Sequence, residues 1–145
     1  MSIDKSGKWW IGSKAADIAE YLREYTADDY PVEDVRLTKC MCGSEVFHIS
    51  VDRDEGAARR RCVKCQTENF ICDAEEYWAE AEPESYTCVE CKSQSANIGA
   101  GFALYEDGEV RWLYLGVRCA VCGVLGCIAD WRVGYAPSRH LLEQV

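Results

Sequence analysis

The chain has 145 residues, 48% of them hydrophobic and including five Trp and eight Tyr, so it can bury a core and is not a disordered segment. Its formal charge of -9 at pH 7 opposes long-range capture of nucleic acid or anionic membranes and favours basic partners. No apolar run approaches the roughly 18 residues of a membrane span, and residues 1–10 lack the continuous apolar stretch of a secretory signal. The expected compartment is therefore the cytoplasm, with no membrane association, and there ten cysteines are better explained by metal than by disulfides.

In chain order, Ile11, Ala15, Ile18, Leu22 and Tyr25 recur at steps of four and three and predict an amphipathic helix with Ser13 as its N-cap. The helix should fade over 26–29, because Pro31 disfavours helix in the residue before it. Phe47, Ile49 and Val51 alternate with His48 and Ser50, the period of a half-buried strand, and Asp54, Glu55 and Gly56 turn the chain into a return strand.

Residues 73–82 predict a second helix, with Asp73 and Glu76 at capping-box spacing, Ala74, Tyr77, Trp78 and Ala81 on one side, and Pro83 as its stop. Around it Glu75, Glu76, Glu80, Glu82 and Glu84 form the most acidic stretch of the chain, either a solvated face or a docking surface for a basic partner. Beyond it, segments 102–105 and 110–117 flank Asp107 and Gly108, a type I′ hairpin signal, with Val110, Trp112 and Tyr114 on one face of the return strand.

Eight of the ten cysteines fall into four close pairs: Cys40 with Cys42, Cys62 with Cys65, Cys88 with Cys91, and Cys119 with Cys122. Zinc takes four tetrahedral soft ligands, and two tight turns joined by a hairpin supply them. Hairpin-like sequence inside each set assigns Cys40, Cys42, Cys62 and Cys65 to one ion and Cys88, Cys91, Cys119 and Cys122 to the other. Gly43 and Gly123 follow ligand pairs where positive φ lets backbone N–H groups point at sulfur, and Gln66 and Lys92 occupy the equivalent places less comfortably. Cys72 and Cys127 are either buried small hydrophobes or replacements for a misplaced ligand at the first site. Their similar distances from the preceding pairs suggest an internal duplication.

Through Cys62-Val63-Lys64-Cys65, Cys88-Val89-Glu90-Cys91 and Cys119-Ala120-Val121-Cys122-Gly123, residues 38–130 resemble the zinc-ribbon families of transcription factors, polymerase subunits and ribosomal proteins. The resemblance implies a tandem double ribbon with two structural Zn²⁺ ions. It is specific for a scaffold and unspecific for activity. Cys40 and Cys42, with only Met41 between them, depart from the usual knuckle by one residue.

The expected fold is mostly β (α+β): an N-terminal helical extension over 1–37, a first ribbon over 38–72, an acidic helical linker over 73–87, and a second ribbon with the C-terminal segment over 88–145. Catalysis is not expected, since a catalytic zinc keeps an open position, and the two histidines, His48 and His140, lie in no HExxH or HxE context. Four thiolates around each zinc add about -2 per site, which takes the charge near -13.

The expected function is that of a zinc-stabilised acidic module, an adaptor, inhibitor or immunity-type regulator, that binds a basic protein as a monomer or homodimer. Arg59, Arg60 and Arg61, the only basic run, with Lys64 support an alternative as a nucleic-acid-binding, transcription-associated ribbon. A zinc-thiolate redox sensor is the second alternative, with Lys39, Arg61, Lys64, Lys92 and Arg118 beside the clusters.

Overall fold

The computed structural model describes residues 3–72, 74–133 and 137–145, with Glu76 described in its backbone only. Its elements are β1 (Ile3–Asp4), β2 (Ile11–Gly12), α1 (Asp17–Tyr25), β3 (Asp34–Leu37), β4 (Phe47–Asp52), β5 (Ala57–Cys62), β6 (Glu68–Phe70), β7 (Glu84–Ser85), β8 (Ala96–Leu104), β9 (Val110–Cys119) and β10 (Leu125–Arg132). The protein is mostly β with antiparallel pairing, as its strand periods predict. Among the described residues no helix is long and apolar enough to cross a membrane.

The two hairpins join into one sheet of order β10-β9-β8-β4-β5-β6. The join is a single rung, Phe47 opposite Ala96. Further along the same edge of β8, β3 takes over the pairing from Gly99 to Phe102, while β7 pairs with β4 at Ser50 and Val51. The register of β4 with β5 runs from Phe47 opposite Cys62 to Asp52 opposite Ala57.

The sheet carries apolar packing on both faces. Phe47, Ile49, Ile98, Phe102, Leu113, Leu115 and Val117 form one core with Leu141 from the C-terminal 3₁₀ turn (Arg139–Glu143). Ile18 and Leu22 of α1, with Val32, pack on Tyr114, Ala103 and Leu125 on the opposite face. The helix can sit this close because its seat is glycine. A Cβ on Gly116 would lie 2.8 Å from Ile18 Cγ2, one on Gly99 2.9 Å from the same atom, and one on Gly101 3.0 Å from Leu22 Cδ1. Val110 joins the core of Leu113 and Leu115, whereas Trp112 and Tyr114 face α1, so these three residues do not share one face.

The N-terminal helix is shorter than its periodicity predicts. Ile11 lies in β2, which bridges to Val124 through the same residue. Ser13 does not cap α1 through its side chain. The buried Asp17 carboxylate instead accepts the N–H groups of Ser13 at 2.8 Å and Lys14 at 3.2 Å, tying the preceding turn to the helix. Tyr25 ends the helix 55% exposed.

Among the described residues, 74–82 form no α-helix of the kind predicted for 73–82. Short 3₁₀ turns occupy Ala74–Glu76 and Trp78–Glu80, and Asp73, its predicted cap, lies outside the described residues. An α-helix here would set Glu76 and Glu80 on adjacent turns with no basic residue to offset them. The segment is held by Trp78, which packs edge-on against Phe70 at 5.5 Å and stacks under Arg59 at 4.8 Å.

Candidate metal centres

The eight paired cysteines gather into two tetrads, Cys40, Cys42, Cys62 and Cys65, and Cys88, Cys91, Cys119 and Cys122, with all sulfurs of each tetrad within 4.8 Å of one another. Sulfur separations of 3.5 Å for Cys40 with Cys65 and 3.6 Å for Cys42 with Cys62 are matched by 3.6 Å for Cys88 with Cys122 and 3.5 Å for Cys91 with Cys119. A tetrahedron with Zn–S bonds of about 2.3 Å has edges of about 3.8 Å. Each tetrad thus has the donor chemistry and the size to hold zinc, and neither includes a histidine or carboxylate.

All four turns are built alike. In three of them the first cysteine N–H donates to the carbonyl five residues on and its carbonyl accepts from the residue four on: Cys62 to Thr67 and from Gln66, Cys88 to Ser93 and from Lys92, Cys119 to Val124 and from Gly123. The turn at Cys40 is one residue shorter and closes with the same two bonds one position earlier, to Ser44 and from Gly43. The residue after each second cysteine has positive φ: Gly43 at 97°, Gln66 at 66°, Lys92 at 65° and Gly123 at 83°. The two non-glycine residues bend their side chains back, Gln66 Nε2 donating to Val63 O at 3.0 Å and Lys92 Nζ to Val89 O at 3.3 Å. These bonds offset part of the left-handed strain.

Backbone amides and hydroxyls aim at sulfur. The N–H groups of Cys65 and Lys64 hold the Cys62 thiol down to about 6. Cys88 is burdened by burial, yet the N–H groups of Cys91 and Glu90 bring it to about 6. The Thr67 hydroxyl and N–H lower Cys65, whereas burial pushes Cys122 up to about 12. The sulfurs of a metal-free tetrad therefore do not all ionise together, and a dication entering each site displaces the remaining protons. The Tyr86 hydroxyl is itself pushed up by burial and by the negative charges of Cys88 and Cys119.

A polar chain connects the two centres with the N-terminal segment. Arg118 donates through Nε to Gly12 O at 2.7 Å and through Nη1 to Asn97 Oδ1 at 3.0 Å, and Asn97 Nδ2 donates to Glu45 O at 2.8 Å. Arg118 is thus committed to backbone and amide oxygens, and Asn97 had no motif to reveal it in sequence. Cys72 and Cys127 stand outside both tetrads. Cys72 donates to Leu141 O at 3.4 Å from a buried position, and Cys127 to Ala129 O at 3.5 Å beside an irregularity in β10.

The charged residues singled out from the sequence are spread over several surfaces. Arg59 and Arg61 share one face of β5, while Arg60 faces the other, 8% exposed, its guanidinium 4.9 Å from the Phe47 ring. Burial lowers the Arg60 pKa, and the negative charges of Cys40 and Cys62 oppose that shift. Lys64 is exposed within the Cys62 turn.

Glu75, Glu80, Glu82 and Glu84 are exposed, and the Glu76 side chain lies outside the described structure. Glu82 and Glu84 join Asp52 and Asp54 around a groove of about 700 Å³ with Val51, Val89 and Ile128 in its walls. Glu75 lines a different groove, of about 490 Å³, with Arg60 and Phe70. Comparison of the chain with family models, curated proteins and solved structures finds no match.

Proposed function

We propose that the chain is a non-catalytic protein-binding module in which two structural Zn²⁺ ions, each held by four thiolates in a zinc-ribbon manner, fix the surface that meets a basic partner. Closed tetrads leave no ligand position for substrate or water, which supports a structural rather than catalytic metal. The observation that carries the partner's chemistry is the groove of about 700 Å³ rimmed by Asp52, Asp54, Glu82 and Glu84 against one Arg53, with Val89 53% exposed beside it. A lysine- or arginine-rich segment with an apolar residue complements both features.

Native mass spectrometry of the protein purified from its own cells, with and without nuclease, tests this reading. Two zinc ions and a nuclease-resistant protein that is lost on Glu82→Lys with Glu84→Lys support it. Added mass that disappears with nuclease replaces it with the nucleic-acid reading.

A second reading, a zinc-thiolate redox sensor, is favoured by the exposure of Cys42, Cys65 and Cys91, which gives an oxidant access to both tetrads. It requires zinc release with stoichiometric thiol loss under mild peroxide.

A further inference from the structure

A second concave surface differs in chemistry from the acidic groove. It is a cleft of about 240 Å³ on the face of β4 and β5 turned away from Phe47 and Ile49, lined by His48, Ser50, Arg59, Arg61, Glu68 and Ser85 among others. Strand register assembles it. His48 lies opposite Arg61, Ser50 opposite Arg59, and Ser85 opposite Ser50, so alternation presents these side chains on one face across three strands.

Acidic residues outnumber basic ones by 25 to 16 in the chain, yet this cleft holds two guanidinium groups against one carboxylate. That carboxylate is already engaged, with Arg59 Nη1 3.3 Å from Glu68 Oε2. Arg59 is further held by Trp78, 4.8 Å below it, so its fork is positioned before any ligand arrives. Arg61 has no ion pair among the described residues. The hydroxyls of Ser50 and Ser85 and the His48 ring, whose Nε2 lies 3.5 Å from Ser95 Oγ, supply further donors.

We propose that this cleft binds a single phosphate monoester group, with Arg61 and Arg59 as charged donors and Ser50 and Ser85 as neutral ones. Guanidinium forks match phosphate oxygens in pairs, and the surrounding hydroxyls satisfy the rest. A lone phosphate confines its charge to the cleft. A nucleic-acid strand longer than the Debye length of about 8 Å also meets the exposed Glu75, Glu80, Glu82 and Glu84 and the anionic thiolate clusters. The site is independent of the basic-partner reading and goes beyond it. The phosphate has two sources, a phosphorylated side chain of another protein or a small phosphate compound.

The test is an NMR titration of the zinc-loaded, ¹⁵N-labelled full chain with acetyl-Gly-phosphoserine-Gly-amide, the unphosphorylated tripeptide, inorganic phosphate and a short single-stranded oligonucleotide. The phosphorylated tripeptide should shift the amides of Ser50, Ser85 and 59–61 saturably, and the unphosphorylated one should not. Arg61→Gln should weaken binding by about tenfold or more, and Glu68→Gln should tighten it, with zinc content and melting unchanged in both. Lys64→Gln, outside the cleft, should leave it unaltered. Tighter binding of the phosphorylated tripeptide than of inorganic phosphate assigns the site to a modified side chain, and equal binding assigns it to a small phosphate compound; both uphold the site. Absence of saturable shifts up to about 10 mM ligand overturns the proposal. So does indifference to Arg61→Gln, or oligonucleotide binding that exceeds that of both the phosphorylated tripeptide and inorganic phosphate and is lost in the same variant.

Discussion

Around the first tetrad the sheet is narrow: β4, β5 and β6 have six, six and three residues. Around the second, β8, β9 and β10 have nine, ten and eight, and β8 is buried along nearly its whole length. The surroundings of the turns differ too. Gly43 has open space where a Cβ would be, while a Cβ on Gly123 would meet Gly12 O at 2.6 Å. One knuckle design thus serves two situations. On the proposed zinc reading, the metal supplies a larger share of the folding energy around the first tetrad, and around the second it reinforces a longer sheet already covered by a helix and a core.

That contrast can be broken most severely by removing one ligand from each site. Structural zinc contributes on the order of 10 kcal/mol, so Cys62→Ser should strip hydrogen-exchange protection from residues 47–70 while β8 and β9 keep theirs. Cys119→Ser, at the end of β9, should instead lower protection throughout. Equal and global loss in both variants would remove the distinction.

Gly116→Val should cost roughly 1–3 kcal/mol of stability by pushing α1 off the sheet, seen as a lowered denaturant midpoint. Gly126→Ala, with nothing within 4 Å of its Cβ, serves as the neutral comparison. Gly123→Ala should cost more than Gly43→Ala, because the second pays only the left-handed penalty of about 1 kcal/mol and the first adds a collision with Gly12. The smallest effect has the opposite sign. Gln66→Gly and Lys92→Gly should each raise stability by a few tenths of a kcal/mol to about 1 kcal/mol, read as a higher denaturant midpoint, since positive φ costs glycine little. A decrease would mean that the bonds to Val63 O and Val89 O outweigh the strain.

The grouping of eight cysteines into two tetrads was legible because pair spacing encodes the knuckle directly, and the short Cys40 turn keeps the same bonds. β4 was legible in the alternation of Phe47, Ile49 and Val51. The first half of β8 was not: Ala96, Gly99, Ala100 and Gly101 carry little intrinsic strand preference, and the missing side chains of Gly99 and Gly101 make sense only once α1 and Val32 lie over them. Ile11 fitted a helical period by coincidence with its place in β2, and the apolar side of 73–82 looked helical although two short turns suffice to bury Ala74 and set Trp78 against Phe70. The single rung at Phe47 and Ala96 had no local signal, since pairing between distant strands leaves none. Arg60 was misplaced for the same reason: the face on which an arginine falls depends on register.

The glycine seat of α1 also imposes an order in time. The helix ends at Tyr25, but Gly99, Gly101 and Gly116, on which it rests, are made some 75–90 residues later, and Gly12 waits for Gly123 and Arg118. At translation speeds of roughly 5–20 residues per second, the amphipathic segment spends on the order of 4–20 s outside the ribosome without its cover. The first cysteine tetrad is complete by Cys65, before β8 exists, so it can take up metal in that interval. The nascent chain therefore completes one cysteine tetrad early, while its late half must recover its own beginning, so a stall before β9 would leave the N-terminal helix without its seat.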